Sequence, residues 1–255
     1  MPAFAHYPSL RDRSILITGG ATGIGATLVE AFVAQGARVG FIDLAVAEGD
    51  ALVERLSGAG LHAPHFVTAD LGDVAALRAA IATLREHIGP IEALLNNAAN
   101  DKRHAVEETT PEFWDASVAV NIKHQFFAAQ AVLPDMKAAG GGSIINFGSI
   151  SWYLRQGGMP AYTSSKAAVQ GLTRGLARDF GAHGIRVNTL VPGWVMTEKQ
   201  LRLWVNEETR QEIARSQCIN APVMPEHIAH MALFLAADDS AMCTAQNFVV
   251  DGGWA

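Results

Sequence analysis

Short apolar runs, each followed by a segment of helical periodicity, constrain this chain more than any other feature of its sequence. The runs are Ser14 to Thr18, Arg38 to Asp43, Pro64 to Thr68, Ala93 to Asn96, Ser143 to Phe147, Arg186 to Leu190 and Asn247 to Asp251. Between them lie helix-period segments such as Gly23 to Gln35, Asp73 to Ile88, Val118 to Ala139 and Ala161 to Phe180, with a cap at Thr110-Pro111 and stops at Gly36, Gly89 and Gly140. Runs that are apolar at successive positions must be covered on both faces, and strands separated by helices pair in parallel through right-handed crossovers. The expectation is an α/β protein with a seven-stranded parallel, doubly wound sheet and helices on both faces.

The chain has 255 residues, 49% of them hydrophobic, and no internal linker, so it reads as one domain over 1–255. Its long insertion, 194–225, mixes Leu201, Trp204 and Val205 with charges and reads as a substrate lid. Lys and Arg number 19 against 25 Asp and Glu, a net charge of -6 with no basic block, which argues against a nucleic-acid partner. The longest apolar run, Met231 to Ala237, is far below the roughly 18 residues that span a bilayer. Met1 to Arg13 lacks the apolar core of a secretory leader. Cys218 and Cys243 are too few for a disulfide scaffold, so a reducing, cytoplasmic address is expected, with no membrane association.

Directly after the first run comes Thr18-Gly-Gly-Ala-Thr-Gly-Ile-Gly25, opening a helix. Glycines there let the backbone approach a pyrophosphate, and the helix N-terminus offers unpaired N–H groups to the anion. The spacing is G-x-x-x-G-x-G rather than G-x-G-x-x-G. Asp43 ends the second run, close to the offset of roughly 20 residues at which an acidic side chain takes the adenosine ribose hydroxyls. A carboxylate there repels a 2′-phosphate, and no Lys or Arg stands in the turn or in Leu44-Ala45-Val46, so NAD is favoured over NADP. Asp70 and Leu71, after the third run, are placed to meet the adenine. The domain is thus expected to be an NAD-binding Rossmann fold.

Tyr162 and Lys166 stand four apart at the start of a predicted helix and share one face. Ser149 follows the fifth run, and Asn121 is expected to open a helix after the fourth. Both lie at carboxyl ends of a parallel sheet, where ligands of open α/β folds bind. A free phenol has a pKa of about 10, so Tyr162 needs nearby positive charge, such as the Lys166 ammonium, to serve as a base.

The segments Thr18 to Gly25, Asn96-Asn-Ala-Ala99, Asn121, Ser149, Tyr162-Thr-Ser-Ser-Lys166 and Val191-Pro-Gly193 together resemble the short-chain dehydrogenase/reductase family, from about Leu10 to the C-terminus. By that resemblance Tyr162 is the catalytic acid/base, Ser149 holds the substrate oxygen, Lys166 binds the nicotinamide ribose and Asn121 holds a water of a proton relay. The resemblance places the cofactor, NAD, on Gly19, Thr22, Gly23, Ile24, Gly25, Asp43, Asp70, Leu71, Asn97, Ala98, Tyr162, Lys166, Pro192, Gly193, Val195 and Thr197. Two positions depart from the family pattern: Ala99 and Ala245 stand where glycine is common. The helices Val118 to Ala139 and Ala161 to Phe180 form subunit interfaces in that family, which implies a homotetramer.

Within the family, Tyr7-Pro-Ser-Leu10, Asn100-Asp-Lys-Arg-His104, Ile145 to Trp152 and Ser216-Gln-Cys218 resemble bacterial D-xylose 1-dehydrogenases. The substrate is then expected to be a small sugar held by Asn100, Ser149, Ser151, Trp152, Tyr162 and Trp194, which supply amide, hydroxyl and aromatic groups to a pyranose. The reaction would oxidise an anomeric hydroxyl to a lactone. Arg155, if it faces the site, would instead favour a sugar acid or keto-deoxy acid. A binding module that senses NAD without turnover is the third reading. His104 is placed to bond a sugar hydroxyl or simply to stabilise a loop. His227 and His230 share a helix but lack a third ligand, so no metal is expected.

Overall fold

The computed structural model describes residues 4–59 and 62–255; Met1 to Ala3, the start of the segment read above for a leader, and the pair at 60–61 lie outside them. The strands are β1 (Ser14–Thr18), β2 (Arg38–Asp43), β3 (His65–Thr68), β4 (Ala93–Asn96), β5 (Gly142–Phe147), β6 (Ile185–Pro192) and β7 (Asn247–Val250). They form one seven-stranded sheet in the order β3-β2-β1-β4-β5-β6-β7, every pairing parallel. The helices are α1 (Gly23–Ala34), α2 (Val46–Leu56), α3 (Val74–Ile88), α4 (Pro111–Val118), α5 (His124–Ala139), α6 (Pro160–Phe180), α7 (Glu198–Leu203), α8 (Glu207–Ser216) and α9 (Pro225–Ala236). The expected single-domain Rossmann architecture is the observed one.

The doubled apolar pattern of the strands has its cause in two cores. Ile15, Ile17, Val39 and Phe41 point to one face, where Leu28 and Phe32 of α1 and Ile228 and Leu233 of α9 cover them. Leu16, Ile42, Leu94 and Ile144 point to the other, against Leu77, Ile81 and Leu84 of α3, Val132 and Met136 of α5, and Leu176 of α6. Helix ends follow local chemistry. Asp73 accepts from the amides of Ala75 and Ala76 to start α3, Thr110 accepts from Phe113 N with Pro111 in the first turn of α4, and Gly140 ends α5 at φ +72.

Two features depart from the periodic reading. The helix expected from Val118 begins earlier, at Pro111, and a π turn over Ala119–Lys123 joins α4 to α5. Asn121 therefore sits inside that turn rather than at a helix start. The second feature is a buried polar row. Thr18, Asn96, Asn146 and Thr189 stand side by side across four neighbouring strands, and all four are fully buried. The Asn96 amide donates to Asn146 Oδ1 at 2.9 Å and to the Gln125 carbonyl at 3.2 Å. Asn146 Nδ2 donates to Thr173 Oγ1 of α6 at 3.0 Å, and the Thr189 hydroxyl donates to the same oxygen at 2.9 Å.

Ala245 closes the turn before β7 with φ +61, donating its N–H to Val187 O at 2.8 Å. A left-handed backbone costs an L-residue roughly 1–2 kcal/mol, part of which glycine returns in chain entropy on folding. Ala245→Gly should stabilise the protein by about 0.5–1 kcal/mol, read as a higher midpoint in denaturant titration.

Candidate active site

The glycine turn after β1 is built for close approach. A Cβ on Gly25 would lie 1.8 Å from the carbonyl oxygen of Gly19, and Gly19 itself has φ +68 with Ala98 Cα in the way of any side chain. The Asn97 amide pins this turn to the end of β4, donating to Thr18 O at 3.1 Å and Gly19 O at 2.8 Å. At the start of α1, Thr22 has extended backbone and makes no side-chain cap bond, so the first-turn amides have no side-chain acceptor at that cap. The arrangement fits a pyrophosphate.

A cleft of about 730 Å³ runs from this turn along the carboxyl edge of the sheet. All the expected cofactor residues line it except Gly23, which turns the chain behind it at φ +55. Thus Gly19, Thr22, Ile24 and Gly25 meet Asp43, Asp70, Leu71, Asn97 and Ala98 at one end. Pro192, Gly193, Val195 and Thr197 line the cleft where β6 runs into the insertion. Asp43 is fixed by its neighbours: Oδ1 accepts from Leu44 N and Ala45 N, and Oδ2 from Ala21 N at 2.9 Å. No Lys or Arg lines this end, and the cations of the cleft, Arg103, Lys166 and Lys199, come from other segments.

The chemistry-bearing end is assembled by β5 and α6. Ser149 leaves β5 and accepts from Ser151 N at 3.1 Å, which holds its hydroxyl at the cleft. Tyr162 and Lys166 lie one turn apart on α6, with the Lys166 nitrogen 5.7 Å from the Tyr162 ring centre. Lys166 is buried and donates to Phe147 O at 2.7 Å. Burial pushes the Lys166 ammonium down to about 7, with Asp101 pulling the other way. Tyr162 is half-buried at the edge of the cleft, and burial pushes its phenol up to about 12. The Ser149 hydroxyl favours its ionisation, Asp101 opposes it and Arg103 favours it. Burial is the largest of these influences, and the Lys166 charge that was expected to lower the phenol does not figure among them.

Asn121 lies beneath the cleft, outside its lining. Its Oδ1 accepts from Asn100 N at 2.9 Å and its Nδ2 donates to Asn100 O at 3.0 Å, a two-point splint that holds the loop after β4. That loop carries residues the periodic reading passed over. Asp101 accepts from Lys199 Nζ at 2.6 Å and Gln200 Nε2 at 2.9 Å, and Gln200 Oε1 accepts from Trp194 Nε1 at 3.1 Å. Burial raises the Asp101 carboxyl, but these two partners outweigh it and hold it below its ordinary range. Arg103 lies over the Trp204 ring at 5.1 Å. The insertion is thus clasped to the loop by an ion pair and a cation–π contact.

Of the expected substrate residues, Asn100, Ser149, Ser151, Tyr162 and Trp194 line the cleft and Trp152 does not. Trp152 turns onto Tyr153 instead, ring centres 3.8 Å apart, because Ser149 nucleates a 3₁₀ turn there. Arg155 is exposed at φ +56 and is not among the residues that line the cleft. His104 accepts from Ala161 N at 3.4 Å, satisfying an amide in the first turn of α6, and does not line the cleft. His227 accepts from Met224 N, His230 packs on Phe4, and no group of three His, Cys, Asp or Glu suited to a metal occurs among the described residues. Trp254 stacks near Trp194 at 6.3 Å and joins the lining, as do Asp101, Arg103, Gln200 and Glu212. Asp101 and Arg103 lie within the segment Asn100 to His104 and Gln200 and Glu212 within the 194–225 insertion, both singled out from the sequence, whereas Trp254 lies in neither. Among the described residues, no helix is long and apolar enough to cross a membrane.

A parallel sheet whose switch point carries a glycine turn and a cleft lined by Tyr, Ser and Lys defines a nicotinamide-dependent dehydrogenase. Comparison with known proteins agrees. Residues 19–255 match the family described as Enoyl-(Acyl carrier protein) reductase. The chain is 47% identical to the probable galactose dehydrogenase GalD of Rhizobium meliloti (strain 1021), covering 98% of this chain and 97% of that one. It is 42% identical to the D-xylose 1-dehydrogenase of Caulobacter vibrioides, covering 98% of each. A short-chain type dehydrogenase/reductase from Mycobacterium ulcerans superposes with a TM-score of 0.91 at 26% identity, over 96% of this chain and 90% of that one. A blue fluorescent protein from a metagenomic library, solved with NADPH, superposes at 0.88 with 32% identity, over 97% and 99%. The chain belongs to the short-chain dehydrogenase/reductase family and is an oxidoreductase acting on a CH–OH group.

Asp101 raises Tyr162, so removing its charge should lower the phenol. In Asp101→Asn the acid limb of the kcat/KM–pH profile for alcohol oxidation should move to lower pH, so that a larger fraction of plateau activity survives at pH 7. An unmoved limb would show that Tyr162 does not govern it.

Proposed function

We propose that the protein is an NAD-dependent sugar dehydrogenase that oxidises the anomeric hydroxyl of an aldose, a pentose or related hexose, to its lactone. The observation that carries this reading is the continuity of the cleft: a cation-free end holding Asp43 leads to Tyr162, Ser149 and Lys166, and then to a substrate end lined by Asn100, Ser151, Trp194 and Trp254. Ser149 accepts or donates at the C1 oxygen and orients it, and Tyr162 takes the hydroxyl proton. When bound, the nicotinamide supplies the acceptor for the C1 hydride. Lys166, held under Tyr162 by Phe147 O, bonds the nicotinamide ribose and adds positive charge beside the phenol. Asn121 serves by splinting Asn100.

The fit to NAD rests on Asp43. Its carboxylate would face a 2′-phosphate with no cation at that end to offset it. The exposed position of Arg155 removes the feature that favoured a sugar acid. The 194–225 segment acts as the lid, seated by the Asp101–Lys199 pair. Trp114 and Phe126, each 40% exposed on α4 and α5, suit the subunit contacts of a homotetramer. The free thiols Cys218 and Cys243 suit a cytoplasmic setting.

Purified protein with NAD and a panel of pentoses and hexoses should generate NADH absorbance; no turnover on any aldose would sink the sugar reading. Tyr162→Phe should lose about 10³-fold or more in kcat while still binding NAD. Asp43→Ser combined with Leu44→Arg should move the NAD/NADP ratio of kcat/KM towards NADP by roughly 100-fold, as two charge changes of about 1.4 kcal/mol each would give.

A further inference from the structure

Two charged side chains at the substrate end are not consumed by the architecture. Asp101 and Lys199 neutralise one another. Arg103, from the loop after β4, and Glu212, from α8 of the insertion, also line the cleft, and neither pairs with an opposite charge among the described residues. The Arg103 guanidinium is held in place without being used up. It lies over the Trp204 ring at 5.1 Å, and Nη1 points at the Met159 sulfur at 2.8 Å, a weak acceptor that leaves the other N–H donors of the fork free. Asn121 and His104 secure the same loop from both sides.

Resting on the sugar-dehydrogenase reading above, we propose that Arg103 is the specificity-determining residue of the site, donating from its fork to ring hydroxyls of a neutral aldose while Glu212 accepts from a hydroxyl on the lid side. The balance of charge selects this ligand class. A guanidinium alone would suit a carboxylate equally well, but Glu212 lines the same cleft and opposes an anionic substrate. One donor-only and one acceptor-only group suit hydroxyls, which both donate and accept. Trp204 sets the guanidinium plane in advance, so little side-chain freedom is lost on binding.

The test compares the best aldose with its singly deoxygenated analogues in wild type, Arg103→Met, Arg103→Lys and Glu212→Gln. A site that bonds a hydroxyl rejects the analogue lacking it, so in wild type one or two deoxy positions should lower kcat/KM by about 10- to 100-fold. In Arg103→Met the parent sugar should fall by that factor more than the sensitive deoxy analogue, any loss through the Tyr162 phenol being common to both, which brings their ratio towards one at that position alone. KM for NAD should stay within twofold. Arg103→Lys keeps the charge and the stem but loses the fork, and should show the same collapse of ratio; it also serves if the Met variant fails to fold. Glu212→Gln should flatten the ratio at a different hydroxyl. If parent and deoxy sugars fall together in the Arg103 variants, with every ratio preserved, Arg103 merely packs the lid and the proposal is overturned while the sugar reading stands. If wild type turns over no neutral aldose, both fall.

Discussion

The buried row of Thr18, Asn96, Asn146 and Thr189 is the constraint on which the rest of the molecule depends. A sheet made of strands that are apolar on both faces has little to set its register, since Ile, Leu and Val at neighbouring positions are nearly interchangeable. Four polar groups in adjacent strands remove that ambiguity, because each loses its partner if a strand slips by a residue. Thr173 receives two of their bonds and so fixes α6, the helix that carries Tyr162 and Lys166. The Asn96 amide reaches the Gln125 carbonyl on α5 in the same way. The placement of Tyr162 and Lys166 is therefore inherited from a network that lies outside the lining of the cleft.

The same logic explains why the cleft forms where it does. The strand order reverses between β1 and β4, and the loops after these two strands diverge to opposite sides. Asn97 bridges that divergence by bonding two carbonyls of the glycine turn, while Gly25 lets α1 approach to a distance no side chain would allow. The glycine turn and the Ser149, Tyr162 and Lys166 cluster are thus held on one edge of the sheet, an arrangement that suits chemistry dependent on close placement.

How far the sequence revealed this depends on the range of the interactions involved. Strand positions were legible to within a residue or two, because a run such as Ile15-Leu16-Ile17 fills two cores at once and its period follows from burial. Tyr162, Lys166, Ser149 and Asp43 were legible through spacing and through their places at strand ends. The π turn at Asn121 was not, since the segment Ala119–Lys123 is too short for a change of period to show in the apolar pattern. Trp152 was misplaced, and the direction of Arg155 was left open, for a local reason: beyond β5 the chain turns on the Ser149 hydroxyl, and side-chain direction in such a turn has no period to read. Glu212 and Trp254 are remote from the catalytic segments in sequence, and only the closed path of the chain brings them to the cleft.

The loop from Asn100 to Arg103 joins these levels. Tyr162 is subject to two opposed charges from it, Asp101 disfavouring ionisation and Arg103 favouring it, against a background of burial that holds the phenol neutral. Lys199 stands against Asp101 from the insertion, so the seating of that segment bears on the charge the phenol experiences. The position of Lys199 and the ionisation of the phenol are thereby linked, because without that ammonium the Asp101 carboxylate stands uncompensated near Tyr162. Such coupling needs no movement within the sheet. It follows from placing a carboxylate with two duties in a loop that Asn121 holds still.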